Sequence, residues 1–169
     1  VSSGGGRGIC LEAKRGAFTT YHAHLFDSSL RKTASFDLAG APSRTRMSAD
    51  GTLAATTVFV SGHSYSAPGF STRTSIIDAQ AGRMITADLE AFAVVKDGQP
   101  FKAADFNFWG VTFTPDAKGF YATLQTSGQQ WLVQGDMAQQ RMTVIAPNVE
   151  CPSLSPDGQR IAFKRRIVP

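Results

Sequence analysis

Three histidines hold most of the chemistry that this chain offers. His22 and His24 alternate in YHAHLF, so on a strand both imidazoles lie on one face, where a third ligand such as His63 would complete a zinc-like set. Two histidines on one strand face are more simply packed or solvent-facing polar groups. No acidic residue adjoins them in sequence to orient a metal ligand. No metal and no cofactor are therefore expected, and the three stay as candidate binding residues. His63 lies between Ser61 and Ser64 in SGHSYS, but the stretch has neither a G-x-S-x-G elbow nor the strand-to-helix setting of a nucleophile. The run GGGRG precedes no helix, so it makes no phosphate cradle and reads as a flexible start over residues 1–7. Arg44, Arg46 and Trp109 complete the candidate binding set. Trp109 clusters with Phe106 and Phe108, at the mouth of a ligand channel or, more simply, in packing between sheets. Glu12, Glu90 and Glu150 are isolated in sequence, and no catalytic residue is assigned.

The elements that position these residues follow from composition and pattern. The chain has 169 residues, 42% hydrophobic and 18% charged, which suits a globular domain with a real core. A net charge of +4 is too small to argue for nucleic acid, and the terminal Lys164-Arg165-Arg166 run reads as a solvated strand end. No apolar run approaches the ~18 residues of a membrane-spanning helix. The start, VSSGGGRG, has no initiator Met and no apolar signal core, as a mature or trimmed product would. Cys10 and Cys151 permit one disulfide without demanding it.

Three segments line up without gaps: PSRTRMSADGTLAATTVF (42–59), FWGVTFTPDAKGFYATLQ (108–125) and CPSLSPDGQRIAFKRR (151–166). In each a short strand runs to Ser or Thr, then Ala or Pro, then Asp, and a second strand follows. Pro115 and Pro156 preset φ for the turn, Asp50, Asp116 and Asp157 can bond their own backbone, and Gly51 and Gly158 accept positive φ. The middle copy departs from the pattern, with Ala117 after the Asp and its glycine displaced to Gly119. TSIIDAQAGRMITA (74–87) and QWLVQGDMAQQRMTVIA (130–146) add a second strand pair to two of these hairpins, and YHAHLFDSSLRKTASFDLAG (21–40) has the same form.

Four strands per unit with such a turn in the first hairpin predict an all-β fold of antiparallel β-propeller blades. Asp116 and Asp157 are 41 positions apart, one blade, whereas Asp50 and Asp116 are 66 apart. Insertions at 61–71 and 92–107 are expected to fill the difference as loops on a face. The run SPDGQRIAF (155–163), with TPDAKGFYA and SADGTLAAT, resembles the repeat of TolB-type, WD40-like propellers, over roughly positions 8–167. The longer stretch FNFWGVTFTPDAKGFYATL is also similar to secreted actinobacterial TolB-like proteins. The expected blades cover about 8–40, 41–106, 107–147 and 148–169, with the first lacking its innermost strand and the last its outer two.

Such an arc cannot close alone, so a complementary polypeptide, most simply the rest of the same precursor, is the expected partner. The resemblance implies a secreted, periplasmic or cell-envelope protein that binds a protein, peptide or glycan through face loops and central channel, with no catalytic role. The alternative is a propeller-face hydrolase or lyase, or the propeller domain of a larger peptidase.

Overall fold

A computed structural model describes residues 1–62, 69–165 and 167. The chain is built almost wholly of antiparallel strands and divides into two compact units, Val1–Asp88 and Leu89–Pro169.

The first unit holds two four-stranded meanders. β1 (Ser2–Gly4), β2 (Arg7–Lys14), β3 (Thr20–Phe26) and β4 (Lys32–Asp37) form one sheet in chain order. β5 (Ala41–Met47), β6 (Leu53–Ser61), β7 (Ser71–Asp78) and β8 (Arg83–Thr86) form the other. The alternating apolar residues Ile9, Ala23 and Leu25 of the first sheet pack on Met47, Ala54 and Ile77 of the second, all 5% exposed or less. Met47 N donates to Ser2 Oγ at 3.0 Å, tying the two first strands together.

The glycine-rich start is a correction to the sequence reading. Residues 1–7 were expected to be flexible, yet Ser2–Gly4 pair with Arg7–Ile9, and the first sheet has the innermost strand that it was expected to lack. The physical reason is close approach as well as turn geometry. Gly5 and Gly6 turn the chain at φ 54° and 73°, and a Cβ on Gly5 would lie 1.9 Å from the carbonyl oxygen of Asp50.

The second unit is led by a 3₁₀ turn (Leu89–Ala91), followed by β9 (Ala93–Lys96) and β10 (Gln99–Pro100). β11 (Asn107–Phe113), β12 (Gly119–Thr126), β13 (Gln129–Asp136) and β14 (Arg141–Pro147) make the expected meander, and β15 (Glu150–Leu154) pairs with β16 (Ile161–Lys164). Residues 92–107, expected as a face loop of the 41–106 blade, instead extend the next sheet. β9 lies parallel on β14, giving the order β10-β9-β14-β13-β12-β11. Burial explains the choice. Leu89 and Phe92 are 0% and 3% exposed, and the Phe92 ring meets Phe120, which fits only because Gly135 has no side chain. Lys96 lies over the Trp131 ring at 3.9 Å and so fastens the added strand from above.

β15 docks on the six-stranded sheet through hydroxyls. Cys151 N donates to Thr123 Oγ1 at 2.9 Å and Leu154 N to Thr112 Oγ1 at 3.2 Å. Cys10 and Cys151 are free thiols.

The three aligned turns are the same device. Ser48, Thr114 and Ser155 each accept an N–H five residues on with the side-chain oxygen, from Leu53, Gly119 and Arg160 at 2.9, 3.0 and 3.0 Å. Each hydroxyl donates to the Asp two residues later, Asp50, Asp116 or Asp157. That carboxylate also accepts the N–H of Thr52, Lys118 or Gln159 at 3.0 to 3.1 Å. Burial pushes the Asp50 carboxyl up, but the Ser48 and Thr52 bonds prevail and hold it below the usual range. The Thr114 and Ser155 hydroxyls do the same for Asp116 and Asp157. The residue after each Asp is left-handed: Gly51 at φ 74°, Ala117 at 54° and Gly158 at 72°. The alanine therefore occupies the glycine position directly.

Two outcomes follow from these turns. Ala117→Gly removes left-handed strain at an alanine and should raise stability by about 0.5–1 kcal/mol in denaturant titration, after the entropy that glycine costs the folded state. The three carboxyls have folded pKa values below their unfolded ones. Their stabilisation is therefore complete above about pH 4 and is lost as pH falls through the folded values. An Asp116→Asn/Asp157→Asn variant should show a flatter fall in melting temperature across that window.

Candidate functional site

β3 brings together more than the sequence promised. Leu38 N donates to Tyr21 O at 2.9 Å, so the Tyr21–Leu38 pair is hydrogen-bonded, and the alternation of an antiparallel ladder makes His22–Asp37 and His24–Ser35 the close, non-hydrogen-bonded pairs. Their side chains meet accordingly. His22 Nδ1 lies 3.0 Å from Asp37 Oδ1, and its Nε2 lies 3.0 Å from Thr20 Oγ1. His24 Nδ1 lies 2.9 Å from Ser35 Oγ, and its Nε2 lies 2.8 Å from Glu12 Oε2 on β2. The two rings stack, with centroids 6.0 Å apart and planes 15° from parallel. Each imidazole thus stands between a carboxylate and a hydroxyl, the arrangement that fixes a tautomer and prepares a ring for proton transfer. The bond from His24 holds the Glu12 carboxyl below its ordinary value.

His24 is 9% exposed, while Ser35 lies open to solvent. His22 and Asp37 also line a concavity of about 460 Å³ with Thr20 and Gly40. Among the described residues no three His, Cys, Asp or Glu side chains gather to hold a metal ion. His63, the third proposed ligand, lies outside the described residues.

Arg44 and Arg46 lie elsewhere. Both are exposed on β5, on the face away from Met47. Since Ala23 and Leu25 face Met47 and the histidines alternate with them, the arginines and the histidines occupy opposite outer faces of the first unit. Trp109 belongs to the second unit, on β11, and is 1% exposed, so packing accounts for it. The sequence flagged the histidines by their alternation. Glu12, Ser35 and Asp37 were invisible as partners because their register depends on two turns whose lengths the pattern does not specify.

No protein-family model matches the chain, and no curated protein does. Solved structures do. TolB from Acinetobacter baumannii superposes at a TM-score of 0.62 with 16% identity, over 95% of this chain and 36% of its own. The Swd1 β-propeller domain from Myceliophteria thermophila gives 0.57 at 10% identity, over 92% and 50%. The β-propeller domain of the Trilobed protease from Pyrococcus furiosus gives 0.54 at 10%, over 86% and 40%. The chain thus spans half or less of the length of each of these structures. At such identities the likeness is one of fold: these sheets are blades of a β-propeller that is incomplete in this chain.

The Glu12–His24 bond makes a prediction of its own. Because the folded Glu12 pKa is depressed, its contribution is present above its ordinary value of 4.5 and is lost as pH falls below it. Glu12→Gln should be less stable than the parent at pH 7, with the difference shrinking toward pH 3 in thermal melts.

Proposed function

We propose that the chain is part of an extracytoplasmic β-propeller, secreted or resident in the periplasm or cell envelope, that binds a protein, peptide or glycan through its face loops and central channel. The observation that carries this reading is the blade architecture itself, with Arg44 and Arg46 exposed on the first strand of a blade. First strands face the channel of a propeller, and two cations there suit an anionic or hydrogen-bonding ligand. Among the described residues no helix is long and apolar enough to cross a membrane.

The reading includes a complementary polypeptide. β6 and β12, the second strands of their blades, are paired on both edges, whereas β16 pairs only with β15 among the described residues. An open edge carries unpaired N–H and C=O groups that a strand from another segment would satisfy.

Peptide and glycan arrays probed with the chain test the recognition. A retained ligand should bind at least tenfold more weakly to the Arg44→Ala/Arg46→Ala variant, about 1.4 kcal/mol. Unchanged binding by that variant refutes the channel assignment. For the partner, the chain expressed alone should melt without a sharp transition or elute above monomer mass; a cooperative, monomeric transition refutes the incomplete ring.

A further inference from the structure

The face of the first sheet turned away from the Met47 seam has two halves of different chemistry. Toward the start of β3 it is polar and bonded within itself: Glu12 and Ser35 hold His24 at 2.8 and 2.9 Å, and Asp37 and Thr20 hold His22 at 3.0 Å each. Toward the end of β3 it is apolar. There Cys10, Phe26 and Leu30 help to line a cleft of about 660 Å³, and the Phe26 ring stands edge-on to His24 at 6.4 Å where the halves meet. Cys10 is the cross-strand partner of His24, so its thiol belongs to this face, while the Ile9 side chain goes to the opposite seam.

Leu30 is costly where it stands, in two separate ways. It is 82% exposed, and it holds φ 60°, a conformation that suits Asn or Gly better than leucine. The turn does not need its side chain. Leu30 N donates to Asp27 O at 3.0 Å, and the Asp27 carboxylate accepts the N–H groups of Ser29 and Arg31 at 2.9 and 3.0 Å. A leucine strained and bare at the rim of an apolar cleft is accounted for by a surface that comes to cover it. The polar half can be covered as well. Its imidazoles already have partners within the sheet, so a covering surface need supply few hydrogen bonds. Asp37 stays the most open of these groups, with its side chain 96% exposed.

We propose that this face is the seat of the complementary polypeptide, whose adjoining sheet puts apolar side chains into the cleft beside Phe26 and Leu30 and a hydrogen-bond donor against Asp37. The inference rests on the incomplete-ring reading above and gives it a place of contact. The occupant follows from the strands present. The first sheet already has the four strands of a blade and its other face is filled by the second sheet, so a neighbour in the ring meets it face to face on this side. Spanning half or less of each superposed propeller, the chain leaves the remainder of such a ring to supply that neighbour. The edge of β16 calls for strand pairing instead. The complementary polypeptide is thus held by backbone at β16 and by side chains at the first sheet.

The test uses the assembled protein, produced from its whole precursor so that the complementary polypeptide is present. With p-benzoylphenylalanine in place of Leu30, illumination should cross-link the β3–β4 turn to that polypeptide, at a position found by peptide mass spectrometry. In the unsubstituted assembly Cys10 should be alkylated by iodoacetamide at least ~100-fold more slowly than in the same protein unfolded in urea. Leu30→Asn suits the left-handed turn but removes the apolar contact, and should speed that alkylation at least ~10-fold. A leucine that served the turn alone would leave the rate unchanged or lower it. Cross-links confined to this chain, a Cys10 as reactive as in urea, or a Leu30→Asn variant with no faster alkylation overturns the seat. If the complementary polypeptide accompanies the chain but is cross-linked only elsewhere, the ring reading stands and the seat alone is refuted. A chain that purifies without any such polypeptide and melts cooperatively as a monomer refutes both.

Discussion

The apolar seam between the two sheets of the first unit decides where every polar candidate in it can be. Ile9, Ala23 and Leu25 must face Met47, Ala54 and Ile77 to leave water. A strand has only two faces, so His22 and His24 are turned to one outer surface, and Arg44 and Arg46 to the other. The close approach of Gly4 and Gly5 to the Ser48–Gly51 turn belongs to the same seam. Backbone there packs on backbone, and any side chain would prise the sheets apart.

Within each hairpin a hydroxyl does the work that a longer loop would need several groups to do. Ser48, Thr114 and Ser155 close the turn from one side, and the following Asp closes it from the other. These contacts are local in sequence, which is why the three turns could be read from the residues alone. The same holds for the turns between the third and fourth strands of the blades, where Asp27, Asp78 and Asp136 accept backbone N–H groups. Ala117 shows that the position, more than the glycine, is what repeats.

What could not be read was non-local. The GGG run looked disordered because nothing near it in sequence needs glycine; the need comes from Asp50, far along the chain. AFAVVKDGQP looked like an insertion because a meander predicts that a strand pairs with its neighbours, and β9 skips its neighbours for β14. The candidate site divides in the same way. Alternation in YHAHLF put both histidines on one face, while Glu12, Ser35 and Asp37 became their partners only through cross-strand register. The arginines and Trp109 were read as members of one binding set, but the arginines are exposed on β5 of the first unit and Trp109 is buried on β11 of the second.

The parallel strand β9 has a consequence for the order in which the chain becomes structured. It is synthesised before β11 but has no sheet to join until β14 exists, so its apolar Val94, and Phe92 just before it, must wait in an unfinished state. Ring closure between segments so far apart carries an entropic delay that the hairpins do not. The outermost strands of this blade are thus the last to settle, and they latch the meander from outside: β14 cannot peel away without first releasing a piece of chain that entered before it.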